Sequence, residues 1–336
     1  MSKRQRPNGG SVWLNLGTIV VAVILAVATA AGFGVALSKR ADSPRAARPV
    51  PTEVAATSPS SQRAANAAIA PVATVLAAFD DRTVWVGRGG SCAKGGAQVS
   101  ITHDGGLSWS KRTLPGAVRS LTRVHATGAE AAFIVGAGTD CQTRTWGTGD
   151  AGSSWSDPQR PSETWARNPK GGATVVSPAD PASPACPDSS VVDLDANTDA
   201  GVVLCANGQI LTSGTGKSWA PRDQKPKAVA VAAGSGAVFA AEVNTSGCTG
   251  VRVSEVQMQA VTNTGDATSP PTTLRESDEV SGTTPSTPSC LSVEKVEAGS
   301  VALALVGKGG WLTVGNDLYR SDDLKRWDKA GTISAG

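Results

Sequence analysis

The chain is poor in the side chains that most enzymes rely on. It has two histidines, one tyrosine, four phenylalanines and two methionines in 336 residues. Two histidines cannot build a His-rich metal centre, and no H-E-x-x-H or G-x-S-x-G run is present. No pair of cysteines has the C-x-x-C spacing of zinc or redox sites. Charged residues make up 18% of the chain, below the usual quarter, and no block of five or six like charges occurs. The formal charge of +3 also misleads. Residues 1–48 hold seven Lys/Arg and one acid, leaving 24 basic and 27 acidic residues beyond them. A mildly acidic remainder gives no electrostatic reason to expect nucleic acid as a partner.

What is abundant is glycine, at 38 residues, and tryptophan, which supplies nine of the fourteen Phe, Tyr and Trp. An uncharged apolar run, "WLNLGTIVVAVILAVATAAGFGVAL", spans residues 13–37. Its 25 positions match what a helix needs to cross a hydrocarbon core of roughly 30 Å. Lys3, Arg4 and Arg6 precede it, and Lys39-Arg40 closes it. A cleaved signal peptide is the rival, with "ATA" at 28–30 as its small-residue site. The run is long for a signal sequence, so a transmembrane signal-anchor is expected, with residues 1–12 on the cytoplasmic side. Ala22, Ala26, Ala30 and Gly34 share one helix face, a spacing that permits close packing but also arises by chance in an Ala-rich span. Residues 38–68, rich in Pro, Ala, Ser and Arg with four prolines, read as a semi-extended linker.

Beyond the linker the chain repeats. Residues 102–109 read "THDGGLSW", 148–155 "TGDAGSSW", 212–219 "TSGTGKSW" and 320–327 "RSDDLKRW". The third contains Gly216-Lys217-Ser218, the end of a phosphate-binding loop, but Leu211 stands where that loop requires glycine. No nucleotide is expected. A fifth, eroded copy lies at 262–269, "TNTGDATS", by spacing alone.

These octets resemble the Asp-box (BNR) repeat, S/T-x-D-x-G-x-S/T-W, of sialidases, sortilin-type receptors, some glycoside hydrolases and photosystem assembly factors. The resemblance implies a β-propeller in which each octet turns the chain from a blade's third strand into its fourth. It makes Asp104, Gly106 and Trp109, then Asp150, Gly152 and Trp155, then Gly216 and Trp219, then Asp322 and Trp327, structural residues. The Asp accepts turn N–H groups, Gly supplies a positive φ and Trp packs between blades. Sialidase chemistry is not expected. It needs an arginine triad, a tyrosine nucleophile and an F-R-I-P-like stretch; the stretch is missing, and the lone Tyr319 adjoins an octet.

Short β-branched runs precede each octet, three per set, so residues 69–334 read as an all-β propeller of five four-stranded blades. The count becomes six if "ETWARNPKGGATVVSP" supplies strands. That segment lies in the first of two Pro/Ser/Thr-rich insertions, around 158–189 and 268–289.

All six cysteines follow the apolar run. On the blade scheme they gather on the face opposite the octet turns, which points to disulfides and an extracytoplasmic domain. Six cysteines allow fifteen connectivities. The pairing expected is Cys186–Cys205 within one hairpin and Cys248–Cys290 between neighbouring blades, with Cys92–Cys141 by elimination.

Candidates for chemistry are few. His103 falls in an octet turn and His125 on a first strand, both read as structural. Asp80-Asp81, Asp193 and Asp195 lie nearest the first strands that line a propeller axis, and read as turn and solvated edge residues. Of the tryptophans outside the octets and the apolar run (Trp85, Trp146, Trp165, Trp311), Trp165 is expected to be exposed. No cofactor, metal or catalytic residue is assigned. The expected function is a membrane-tethered, non-enzymatic protein-interaction or assembly module at the bacterial cell envelope. The alternative is an exported glycoside hydrolase or lyase using paired channel carboxylates, which needs two of them about 5–10 Å apart in a cleft.

Overall fold

The β-branched and alanine-rich runs form strands whose burial follows their place in the blade. A second strand such as Val84–Arg88, "VWVGR", is buried along nearly its whole length because neighbouring blades cover both of its faces. An outermost strand such as Ser110–Arg112, "SKR", is exposed and charged, which protects its unpaired edge. The structure is a computed structural model and describes residues 70–162, 164–257 and 289–334, of Ser289 the backbone only.

Six antiparallel sheets follow one another along the chain and around one axis. Blade 1 is β1 (Thr74–Ala78), β2 (Val84–Arg88), β3 (Gln98–Thr102) and β4 (Ser110–Arg112). Blade 2 is β5 (Ser120–Ala126), β6 (Ala132–Ala137) and β7 (Thr143–Thr148), with a single bridge from Thr145 to Gln159 where a fourth strand would lie. Blade 3 is β8 (Ala166–Arg167), β9 (Thr174–Val176) and β10 (Ser183–Pro184). Blade 4 is β11 (Val191–Ala196), β12 (Gly201–Cys205), β13 (Gln209–Ser213) and β14 (Ala220–Gln224). Blade 5 is β15 (Ala228–Ala233), β16 (Val238–Thr245), β17 (Cys248–Glu255) and β18 (Ser289–Ser292). Blade 6 is β19 (Val301–Val306), β20 (Gly309–Val314), β21 (Asp317–Ser321) and β22 (Asp328–Thr332).

The expected five blades become six, and the sixth comes from the segment read as an insertion. Residues 158–189 build blade 3, whose strands are two or three residues long. Strands this short carry no period-two pattern, so prolines and serines dominated the reading. Ser289–Ser292 pairs with β17 as the outer strand of blade 5, so the last blade opens at β19. "GWLTVGNDLYRS" is two strands joined by a two-residue turn, with Val314 opposite Asp317 and Gly315 at φ +64°.

Blade 3 is irregular at its inner edge. Among the described residues of 160–165 there is no strand, and β8 runs against the other innermost strands. Its entry, Trp165, lies level with Ala196 at the end of β11, and Arg167 lies level with Val192 near the start of β11, as the Arg123 and Arg167 hydrogen bonds show.

Each interface between blades has its own small apolar core. Trp85, Ile101, Ile134 and Trp146 pack between blades 1 and 2, and Val231, Val202, Ile210 and Ala240 between blades 4 and 5. Among the described residues no blade borrows a strand from the far end of the chain, so blades 1 and 6 close the ring through side chains and through the Ala73 N–H, which donates to the Gly299 carbonyl at 2.8 Å. Trp311 donates from Nε1 to the Asp80 carbonyl at 3.3 Å, and Arg88 reaches Asn316 Oδ1 at 2.7 Å.

Among the described residues no helix is long and apolar enough to cross a membrane. The apolar run 13–37, the linker 38–68 and the octet copy 262–269 lie outside them.

Candidate functional site: the axis and its mouth

The octets occupy the turns between third and fourth strands. In the first, the Thr102 hydroxyl accepts from Gly106 N at 2.9 Å and donates to Asp104 Oδ1 at 2.7 Å. Asp104 accepts from Ser108 N at 2.9 Å and from the Ser108 hydroxyl. Thr148, Asp150, Gly152 and Ser154 repeat the same network. These donors hold both carboxyls well below the usual range, Asp150 at about 2. Both are turn-builders by geometry. The third octet lacks the Asp, and Gly216 N donates to Ser213 Oγ instead, at 2.7 Å.

In the fourth, the turn role expected of Asp322 belongs to Asp323. Asp323 Oδ1 accepts from Lys325 N and Arg326 N at 2.8 and 3.0 Å, with Leu324 at φ +59°. Asp322 points outward and pairs with Arg320 at 2.9 Å. The octet is one residue shorter than its relatives, so aligning it on Trp327 displaced the Asp by one.

Each octet glycine docks on the preceding blade. A Cβ on Gly106 would meet Leu318 Cδ2 at 2.9 Å, one on Gly152 would meet Arg112 Cγ at 2.9 Å, and one on Gly216 would meet Ser177 Oγ at 2.1 Å. The octet tryptophans Trp109, Trp155, Trp219 and Trp327 follow onto the same neighbours.

The axis holds an ionic lattice that the sequence reading did not foresee. Asp193 is buried and Asp195 half-buried, and neither is a solvated edge residue. Their side chains and that of Asn197 project from alternate positions of one stretch, hence to one side. All three reach blade 5: Asp193 Oδ2 accepts from Val231 N at 2.9 Å, Asp195 Oδ2 from Ala233 N at 2.9 Å, and Asn197 donates to the Gly234 carbonyl at 2.6 Å. From the other side come two buried guanidiniums. Arg123 on β5 donates to the Trp165 and Ala196 carbonyls at 2.7 and 2.9 Å. Arg167 on β8 donates to Val192 and Val72 carbonyls at 3.2 and 2.6 Å. Together they fill the place where blade 3 has no first strand.

Burial pushes the Asp193 carboxyl up to about 6, with Arg167 pulling it back, and raises Asp195 against the pull of Arg123. Burial lowers both arginines. It also lowers His125 to about 4, with Arg123 adding to the effect, while the ring packs on Phe133 at 4.8 Å. His103 is exposed in its turn. Asp80 caps the β1–β2 turn by accepting from Arg82 N and Thr83 N, and Asp81 is exposed beside Arg320.

The free space left in the axis, between Thr74, Arg123, Asp193, Asp195 and Leu303, is about 30 Å³. That admits one or two waters, far below the roughly 300 Å³ at which ligand pockets begin. A larger cavity of about 370 Å³ opens at the mouth, on the face of the second-to-third-strand loops. Arg167 and Thr122 line it with Pro71, Gly89, Asn168, Lys170 and Ser190. Lys170 at its rim is exposed and has no ion pair among the described residues. The cavity offers cationic and amide groups, with no nucleophile paired to a base.

The disulfides brace this face. Cys92–Cys141 links the β2–β3 loop of blade 1 to the β6–β7 loop of blade 2. Arg119 donates to the Cys92 and Ala93 carbonyls beside it. Cys186–Cys205 joins the entry of β11 to the end of β12. Cys248–Cys290 ties β17 to β18 within blade 5, not two neighbouring blades, because Cys290 lies on the outer strand of blade 5.

Trp165, expected to be exposed, is not. Trp165 is 5% exposed and meets Trp219 edge-on at 5.7 Å, while Trp85, Trp146 and Trp311 are buried. Among the described residues no group of His, Cys, Asp and Glu is placed to hold a metal ion.

No protein-family model and no curated protein matches the chain. Among solved structures it is similar to YCF48 bound to D1 peptide, at 18% identity and TM-score 0.27, covering 79% of this chain and 69% of that one. It is also similar to the GH74 xyloglucanase of Xanthomonas campestris, at 15% identity and TM-score 0.26, covering 76% of this chain and 38% of that one. The PQQ-bound aldose sugar dehydrogenase of Streptomyces coelicolor matches at 12% identity and TM-score 0.32, covering 80% and 81%. Likenesses at this level say nothing about activity. The propeller stands on the strand order of the chain itself.

Proposed function

We propose that the chain is a membrane-tethered, extracytoplasmic Asp-box propeller that binds a protein partner at the cell envelope and catalyses no reaction. The observation that carries this reading is the contrast between the two ends of one feature. The axis, where propeller enzymes would seat a substrate, is closed by Arg123, Arg167, Asp193 and Asp195 down to about 30 Å³. Its mouth opens into a basic pocket on the face that two of the disulfides brace. Three disulfides and no free cysteine among the described residues support an exported domain. The uncharged run 13–37 supports the tether. The Thr–Asp–Gly–Ser networks of the first two octets support the Asp-box assignment.

The glycoside hydrolase or lyase reading lacks an observation in its favour. Asp193 and Asp195 spend acceptor oxygens on the blade 5 backbone and have no room for a sugar between them.

The test places a photo-crosslinking residue at Lys170, and separately at Leu107 on the opposite face, in cells of the source organism. A protein partner captured from position 170 and not from 107 is the expected result. Capture from 107 alone would overturn the assignment of the face. Polysaccharide cleavage by the purified chain, abolished by Asp193→Asn, would overturn the non-catalytic reading.

A further inference from the structure

Four blades plant a tryptophan on the blade before them. Trp155 of blade 2 meets Trp85 of blade 1 edge-on at 6.5 Å and donates from Nε1 to the Thr113 carbonyl at 3.1 Å. Arg112, on the fourth strand of blade 1, packs against the same octet. Trp219 of blade 4 meets Trp165 and donates to Ser183 Oγ at 2.9 Å. Trp109 packs with Trp311 and Leu318 of blade 6, and Trp327 with the apolar core shared by blades 5 and 6.

The interface between blades 4 and 5 departs from this pattern. The eroded octet copy read by spacing alone, residues 262–269, ends in Ser269 instead of tryptophan and lies outside the described residues. A groove of about 410 Å³ runs along this interface. Its blade 4 wall is Val202, Thr212 and Arg222, on the second, third and fourth strands. Those are the strands that receive Trp155 in blade 1, and Arg222 takes the place of Arg112. Ala237, Val238 and Val256 form the blade 5 wall. At the rim stand Asp199 and Glu255, both exposed and neither in an ion pair among the described residues.

We infer that this groove receives, in trans, the tryptophan side chain of a partner protein's loop, next to a basic residue that meets Asp199 and Glu255. The apolar part of the walls, Val202, Ala237, Val238 and Val256, suits the indole, whose removal from water drives such insertions. The acidic rim selects the flank. The chain's own third and fourth octets carry that combination, Lys217-Ser218-Trp219 and Lys325-Arg326-Trp327. The site lies on the octet-turn side of the ring, away from the basic mouth, and does not depend on it.

The test uses the full-length chain, purified in detergent with labelled valine methyls, titrated with a blocked peptide of residues 212–219. Saturable shifts at the Val202, Val238 and Val256 methyls are expected. They should weaken at least about tenfold when the peptide carries Trp219→Ala. They should vanish in chains carrying Ala237→Trp, or separately Ala200→Leu, whose melting temperatures report that they still fold. No methyl shifts, or equal shifts with the alanine peptide, would overturn the inference. So would contacts in the free protein from the Val202 and Val256 methyls to residues 258–288, which would place this chain's own segment in the groove. Self-association that Ala237→Trp dissolves would assign the groove to a second copy instead.

Discussion

The Asp193 carboxylate accepts the Val231 N–H at 2.9 Å, and this one bond ties the inner strand of blade 4 to that of blade 5. Asp193 also faces the Arg167 guanidinium, which reaches back to blade 1 through the Val72 carbonyl. Removing the carboxylate therefore strands the buried N–H groups of Val231 and Leu194. Asp193→Ala should destabilise the domain by about 1–3 kcal/mol. Asp193→Asn, which keeps an acceptor for Val231, should cost less. Urea unfolding of the two variants checks the order, and a smaller loss in the alanine variant would sink the account.

The same residue sets a pH dependence of defined sign. Its folded pKa of about 6 lies above its ordinary 3.8, so folding favours the protonated form. That contribution is complete below about 3.8 and is lost as pH rises through about 6. Octet residue Asp150 works the other way, contributing above 3.8 and losing its effect as pH falls towards about 2. His125, lowered from 6.5 to about 4, likewise favours the fold above 6.5 and loses its effect as pH falls through about 4. Comparing the wild type with Asp193→Asn cancels the last two. The advantage of the wild type over Asp193→Asn in urea midpoint should be largest near pH 4 and narrow towards pH 7. A gap that widens with pH would contradict the buried, desolvated carboxyl.

The fourth octet separates two adjacent aspartates. Asp323 accepts two turn N–H groups, whereas Asp322 holds only a surface pair with Arg320. Asp323→Ala should lower the melting temperature by a few degrees and Asp322→Ala should leave it unchanged. Calorimetry on both variants decides which residue builds the turn.

Much of the fold was legible because its signals are local. An octet needs Thr, Asp, Gly and Ser at fixed spacing to satisfy one turn, and Trp109, Trp155 and Trp219 mark it from the sequence alone. Cys92, Cys141, Cys186 and Cys205 were legible from strand counting, whereas Cys290 was assigned to the next blade because the short outer strand Ser289–Ser292 reads as a first strand. Blade 3 was legible only as the six-blade alternative: "ETWARNPKGGATVVSP" does supply β8 and β9, but strands of two or three residues such as Ala166–Arg167 leave no alternation to count. The axial lattice was half visible. Asp193, Asp195 and Asn197 recur at period two within "VVDLDAN", which marks one face of a strand. Nothing local says that this face meets Arg123 and Arg167, which lie 70 and 26 residues away along the chain from Asp193.

Gly216 combines two constraints. Its φ is +89°, and a Cβ there would lie 2.1 Å from Ser177 Oγ on the preceding blade. Gly216→Ala must therefore strain the backbone and push the third octet off blade 3. A loss of about 2 kcal/mol or more is expected. Gly116→Ala, with nothing within 4 Å of the added carbon, should stay within about 0.5 kcal/mol of the wild type. Equal effects at the two sites would refute the docking role of the octet glycine.

The disulfides close segments of very different span. Cys92 and Cys141 are 49 residues apart and join two blades, whereas Cys186 and Cys205 are 19 apart within one blade. On the chain-entropy model a longer closed loop restricts the unfolded chain more, so paired serine substitutions at Cys92 and Cys141 should cost about 4 kcal/mol through that term. The term is about 1 kcal/mol smaller for Cys186 and Cys205, whose buried sulfurs add a packing loss when replaced. The blade 1–blade 2 bond also holds the loops beside the basic mouth, so its removal should weaken partner capture at position 170. Intact-mass thiol counting on the purified chain comes first. No free thiol without reductant is the expected result for an exported domain. Six free thiols after preparation from an oxidising compartment would remove both the braced face and the argument that this face meets a partner outside the cytoplasm.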